Sequence, residues 1–279
     1  MPVGKMHADE IDIDDLLVRR LLTAQFPQWA DLHIEAVSSA GTDNALYRLG
    51  DAMVMRLPRI HNAVAQVDKE QMWLPKLAPH LPLAIPTPLA RGKPGAGYPF
   101  QWSIYRWLDG DNAMLDRITD PAQMATQLAQ FINALQHIDT TGGPCPGSHN
   151  FSRGVPLVMR DADTRAAIDS LHGIIDTDAA SAAWDAALNT PAWNNPPVWI
   201  HGDLQSGNLL AQNGRLSAVI DFGGLAVGDP ACDLQVAWNL FDVEARAVFR
   251  DAVSVDEATW ARGRGWALSV GLIALPYYQ

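Results

Sequence analysis

Two cysteines, Cys145 and Cys232, are too few in 279 residues for a disulfide framework or a cysteine metal cluster. Both read as reduced, structural residues. No apolar run reaches the roughly 18 residues a membrane-spanning helix needs. The N-terminus, Met1-Pro-Val-Gly-Lys-Met-His-Ala-Asp-Glu10, has no apolar signal core. A soluble, cytoplasmic chain is therefore expected, with no membrane association and no obligate protein partner. The histidines at 7, 33, 61, 80, 137, 149 and 172 are scattered without the spacing of a zinc site. No Gly-x-Ser-x-Gly is present, which removes the nucleophile elbow of the hydrolases. There is no internal repeat and no low-complexity tract.

Positive charge is scarce, and unevenly so. The formal net charge is −11. Residues 1–107 hold eleven Lys/Arg and eleven Asp/Glu, whereas residues 108–279 hold nine against twenty. A surface of that sign is a poor partner for nucleic acid. It would attract a cationic small molecule, although acidic residues also serve solubility alone.

The periodicity of the first part predicts a small α+β lobe. Ile13, Leu16, Leu17, Leu21 and Leu22 follow Asp12, a plausible cap, at helical spacing. Strands are expected at 32–37, 45–49, 52–57 and 101–107, with Gly50-Asp51 marking a hairpin. A helix is expected near 63–77, followed by a proline-punctuated extended stretch. After Leu108-Asp109-Gly110 the pattern turns helical. Asp120-Pro121 opens a long helix with Met124, Leu128, Phe131, Ile132, Leu135 and Ile138 on one face. Further helices are expected at 156–175, at 178–189 and from Asp233 onward. Two domains follow, 1–107 and 108–279, with a site between them as the expected nucleotide position.

The chemistry concentrates in one stretch. Trp199-Ile200-His201-Gly202-Asp203-Leu204-Gln205-Ser206-Gly207-Asn208 precedes Val219-Ile220-Asp221-Phe222-Gly223. Phosphoryl transfer needs one Asp to take or orient the acceptor proton, and an Asn and a second Asp to hold magnesium against the phosphates. The intervening residues read as a hairpin turning at Gln212-Asn213-Gly214, which returns Asp221 toward Asn208.

This stretch resembles the catalytic loop and magnesium segment of the aminoglycoside phosphotransferase family, within the wider protein-kinase-like fold. Gly228-Asp229-Pro230-Ala-Cys-Asp233-Leu resembles the helix that follows. Gly202 stands where eukaryotic protein kinases have Arg, which points to the small-molecule branch. The resemblance implies a bilobal α+β fold, a small sheet-rich N-lobe before a mainly helical C-lobe. It also implies an ATP- and magnesium-dependent kinase of a small, cationic acceptor, an antibiotic-modifying activity among the possibilities. A macrolide, an amino alcohol or a metabolite is the alternative acceptor, and a pseudokinase the alternative class. Asp203 would be the catalytic residue, and Asn208 and Asp221 the metal ligands. His201 would brace the loop, Asp233 anchor its backbone and Asp229 cap the following helix. Ser39, Gly41 and Thr42 would lie in the loop over the phosphates. Arg56 would take the place of the family's Lys on the α/β-phosphates, with Arg48 and Arg59 competing. Glu70 would be its acidic partner, with Asp68 as the alternative. The connection Ile104-Tyr105-Arg106-Trp107-Leu108 would lie beside adenine. For a cationic pocket the candidates are Asp161, Asp163, Asp169, Asp176, Asp178, Asp242 and Glu244.

Overall fold

A computed structural model describes residues 10–37 and 43–278. The expected phosphate-loop residues Ser39, Gly41 and Thr42 lie outside the described residues. The chain forms two compact units, Met1–Pro79 with Ala84–Asp109, and His80–Leu83 with Gly110–Gln279. The first is sheet-rich and the second mainly helical, which makes the class α+β.

The first unit opens with α1 (Asp15–Gln25). Its cap is Asp14, whose carboxylate accepts the Leu17 N–H at 2.7 Å, and not Asp12 as the sequence suggested. The cap accepts from the third residue after it, and Asp14 stands at that distance from Leu17. Leu17, Val18, Leu21 and Leu22 face inward while Leu16 is exposed. They pack on five antiparallel strands: β1 (Ile34–Ala36), β2 (Asn44–Leu49), β3 (Met53–Pro58), β4 (Pro88–Gly92) and β5 (Trp102–Arg106). The spatial order is β1-β2-β3-β5-β4. Ala45, Tyr47 and Leu49 alternate inward along β2, as a half-buried strand requires. Helix α2 (Val64–Leu77) lies against β4 and β5, held by Gln71, whose amide donates to Ala90 O at 3.1 Å and Ser103 Oγ at 3.0 Å. The proline-punctuated stretch was expected to be merely extended. It contains β4, an edge strand with Pro88 at its first residue, where a missing N–H costs no ladder bond.

In the second unit β6 (Asp111–Asn112) precedes α3 (Pro121–Gln136). Asp120 caps α3 by accepting the Gln123 N–H at 2.9 Å, and the predicted stripe is buried from Met124 to Leu135, whereas Ile138 lies beyond the end of the helix and is half-buried. The helical pattern at 156–175 resolves into a 3-10 turn, Leu157–Arg160, and α4 (Asp161–Ser170). Asp176 caps α5 (Thr177–Leu188). Two small sheets follow: β7 (Val198–Ile200) pairs with β10 (Ala226–Gly228), and β8 (Leu209–Gln212) joins β9 (Arg215–Val219) and β6. α6 (Val236–Asn239), α7 (Val243–Ala252) and α8 (Glu257–Ala274) complete it, α8 burying Trp266 in the core with Trp184 and Leu157. Among the described residues no helix is long and apolar enough to cross a membrane. Both cysteines are free; Cys232 is buried, but Cys145 is exposed and so has no packing role.

Candidate active site

The apolar strand β7 delivers the chain into a loop whose backbone is fixed by one buried carboxylate. Asp233, fully buried in the 3-10 helix Pro230–Gln235, accepts the N–H of His201 and that of Gly202, each at 2.7 Å. Burial pushes this carboxyl above the usual carboxylate range, against the lowering pull of His201 and the two N–H donors. Gly202 has φ +85°, and a Cβ there would lie 2.5 Å from Gly224 O. The arginine of protein kinases therefore has no room at this position. His201 is buried as a brace: its Nδ1 accepts the Asp203 N–H at 3.2 Å, and Nε2 then donates to Ile220 O at 3.1 Å. Its ring meets Phe222 edge-on at 4.6 Å.

Asp203 is held in place but not enclosed. Its Oδ2 accepts from Asn208 Nδ2 at 2.8 Å and from Gln205 Nε2 at 3.0 Å, with its side chain 34% exposed. Asn208 Nδ2 also donates to Asp203 O at 2.8 Å. Its two donors are thus directed at Asp203, which leaves the amide oxygen as the atom for a hard cation.

The β8–β9 hairpin turns at Asn213 and Gly214, both with positive φ as a tight primed turn requires. Leu209 pairs with Val219, and the Ile220 N–H donates to Asn208 O at 2.9 Å. Asp221 therefore follows the residue bonded to Asn208. Its own φ of +61° is a left-handed conformation that Asp tolerates better than most residues, and its carboxylate accepts from Gly223 N–H. Among the described residues no group of three or more His, Cys, Asp or Glu is arranged to hold a metal. The oxygens that Asn208 and Asp221 would offer a magnesium ion are one amide and one carboxylate oxygen, of the hard type that ion takes.

In the first unit Arg56 Nη1 donates to Glu70 Oε1 at 2.7 Å and Nη2 to Gln66 Oε1 at 3.0 Å. Asn44, with its amide oxygen turned to the guanidinium, adds contacts at 3.2 and 3.0 Å. Tyr105 OH donates to Glu70 Oε2. Burial first, and then the Glu70 charge, hold this phenol protonated, well above its usual range. The competing residues are engaged elsewhere. Arg48 stacks on Trp107 at 4.7 Å, Arg59 pairs with Glu10 at 3.6 Å and Asp68 pairs with Arg91. The Tyr105 side chain thus points to the Arg56–Glu70 pair. Trp107 donates to Asp109 Oδ1 at 2.8 Å, and Leu108 is half-buried.

Residues 33–266 match the phosphotransferase enzyme family. The chain belongs to that family. This phosphotransferase is also 23% identical over 235 residues to the uncharacterized protein YcbJ of Bacillus subtilis (strain 168), covering 78% of this chain and 71% of that one. Its fold matches the GDP complex of wild-type aminoglycoside 2'-phosphotransferase-IIIa with a TM-score of 0.75. The two share 21% identity, and the match covers 96% of this chain and 94% of the other. A macrolide 2'-phosphotransferase type I matches with a TM-score of 0.66 at 18% identity, covering 96% and 95%. The streptomycin-ATP-APH(2")-IIa ternary complex matches at 0.64 and 18%, covering 96% and 94%.

Several residues of this phosphotransferase's site carried no signal in its sequence. Asn150 is fully buried; its Nδ2 donates to Arg153 O at 2.9 Å and Gly224 O at 3.2 Å, and its Oδ1 accepts the Gly147 N–H at 2.9 Å. It ties residues 147–153 to the segment after Asp221. Arg153 brings Nη2 to 3.8 Å from Asp203 Oδ1. Arg262 grips Asp229 through two bonds, at 3.0 and 3.2 Å, while Asp229 also accepts the Ala231 N–H at 2.9 Å. Gly224, Asp203 and Asp229 lie 33 to 74 residues from these partners in sequence, where no local pattern reaches.

Proposed function

We propose that the protein transfers the terminal phosphoryl group of magnesium-ATP to a hydroxyl of a small molecule. The observation that carries this reading is the locked loop: Asp233 fixes its backbone, His201 braces it, and Asn208 ties Asp203 to the hairpin that delivers Asp221. Asp203 accepts or orients the hydroxyl proton. Phosphoryl transfer passes through a loose transition state in most analyses, so positioning is the larger part of its task. Magnesium, when bound by Asn208 and Asp221, neutralises phosphate charge. Arg56, steadied by Glu70, Gln66 and Asn44, places a guanidinium for the α/β-phosphates. Solved relatives of this fold are complexes with ATP and with GDP, which supports a purine nucleotide as donor.

The acceptor is not inherited from the fold, since aminoglycoside and macrolide enzymes share it. Some of the carboxylates behind the polycation expected from the acidity of residues 108–279 also have structural partners. Asp176 and Asp242 cap α5 and α7. Asp161 and Asp185 hold Arg165. Asp163, Asp169, Asp178 and Glu244 are exposed. The decisive measurement is ADP release with magnesium-ATP over a panel of aminoglycosides, macrolides, amino alcohols and hydroxy acids. Asp203→Asn should retain nucleotide binding and lower turnover by roughly 10²-fold or more. Wild-type turnover in that variant, or nucleotide binding whose magnesium dependence survives Asp221→Ala, would overturn the assignment.

A further inference from the structure

The second unit carries two arginines that the chemistry above does not use: Arg153, beside Asp203, and Arg160, which shares the Trp266 ring with it. Arg153 Nη2 stops 3.8 Å from Asp203 Oδ1, beyond hydrogen-bond length, and its Nη1 is buried without a partner. Arg160 donates through Nε to Ser269 Oγ at 2.9 Å, and Ser269 shares a 2.7 Å bond with Thr164. Arg160 makes no ion pair among the described residues. Both guanidiniums lie over the same buried indole, Arg160 at 4.8 Å and Arg153 at 5.9 Å from the Trp266 ring centroid. Burial, and then the charge of Arg153, lower the Arg160 pKa to about 10. The exposed Asp163 raises the Arg160 pKa only in part, so two half-buried like charges on one ring, with one long contact from Arg153 to a carboxylate, are a destabilising arrangement for the protein alone. An anion seated between them would relieve it. The backbone leading to Arg153 is fixed. Phe151 and Ser152 are both held at φ +55°, uncommon for residues with side chains, and Asn150 pins the Arg153 carbonyl.

We propose that Arg153 and Arg160, stacked over Trp266, form an oxyanion subsite for the acceptor. The molecule phosphorylated here is then a hydroxyl compound bearing a carboxylate or a phosphate ester, not a polycation. The inference rests on the reading of Asp203 as the residue that receives the acceptor hydroxyl. A hydroxyl at Asp203 sits within one guanidinium's width of Arg153. The planar forks suit two-point bonding to carboxylate or phosphate oxygens, and the indole keeps them in register.

The test is calorimetric titration of the full chain, saturated with magnesium and a non-hydrolysable ATP analogue, with sodium sulfate and with sodium acetate at constant ionic strength. Sulfate stands for a phosphate ester and acetate for a carboxylate, so their ranking names the source. At least one should bind saturably, and Arg153→Gln and Arg160→Gln should each weaken it at least about tenfold. Arg160→Lys, which keeps the cation over Trp266, should retain part of the affinity and serves if the Gln variant fails to fold. Absence of anion binding, or binding indifferent to both substitutions, overturns the proposal. So would aminoglycosides as the best acceptors with a Michaelis constant unmoved by Arg160→Gln. An Arg153→Gln enzyme with lower kcat but unchanged anion affinity would place Arg153 on the transferred phosphoryl group instead. If the phosphotransferase reading itself fails, the nucleotide analogue will not bind. Sulfate titrated into the nucleotide-free chain still reports the subsite.

Discussion

At the scale of single residues, the candidate site depends on groups that never touch a substrate. Gly202 is the sharpest case. Its φ of +85° is strained for any side chain, and Gly224 O stands 2.5 Å from where a Cβ would be. Gly202→Ala should therefore lower stability by about 1–3 kcal/mol, read from denaturant unfolding. It should also reduce turnover, because the loop bearing Asp203 must shift. A variant with unchanged unfolding midpoint and activity would show that the loop is not clamped here. Asp203, Asn208 and Asp221 could be singled out from the sequence because the roles proposed for them demand particular residue types at fixed separations along one loop and one hairpin. Arg153 and Asn150 could not. Their partners are Asp203 and Gly224, 50 and 74 residues away, and only the folded chain brings them together. The Asp12 cap failed for a smaller reason: Asp12, Asp14 and Asp15 crowd the start of α1, and only the Leu17 N–H decides among them.

Elements raise a different question, that of how a strand and a helix hold one cation. Arg56 leaves β3 and is met by Glu70 and Gln66, one helical turn apart on α2. Tyr105 of β5 satisfies the other Glu70 oxygen. The pairing of Arg56 with Glu70 was readable from the order strand, helix and charge. Gln66, Asn44 and Tyr105 were not, because polar side chains in a pleated sheet announce no direction beyond inward or outward. Arg56→Lys should weaken nucleotide affinity modestly, since a point charge replaces a fork that three residues grip. Arg56→Met should weaken it far more and leave Glu70 buried beside a lone phenol. Fluorescence titration with magnesium-ATP checks the order; equal affinity in both variants would reduce Arg56 to a structural brace. Helix ends tell a parallel story. Asp176→Ala or Asp242→Ala should each cost about 1 kcal/mol of stability as a lost cap, with acceptor kinetics unmoved. A changed Michaelis constant in either would return that carboxylate to the acceptor site. The long amphipathic helices and the Asn213-Gly214 hairpin were legible from period and turn chemistry. β4, β6 and β10 were not, being two to five residues long and set among prolines and glycines.

Across the whole molecule, the net charge of −11 and the local charge of Arg153 and Arg160 at the Trp266 ring pull in opposite directions. The distant carboxylates of residues 108–279 repel an anionic acceptor as it approaches, while Arg153 and Arg160 hold it once it has arrived. These two effects respond differently to salt. At 0.1 M the Debye length is about 10 Å, so the summed field of exposed carboxylates is strongly screened. A half-buried contact with a guanidinium is screened much less. Adding sodium chloride from low to moderate ionic strength should therefore lower the Michaelis constant of an anionic acceptor, with magnesium-ATP saturating. For a polycation the same salt would weaken attraction and raise the constant. A neutral acceptor would show little slope. The sign of that slope thus reads the acceptor's charge without knowledge of its identity. A steep rise in the Michaelis constant with sodium chloride would restore the polycation that bulk composition suggested and remove the reason for an oxyanion subsite.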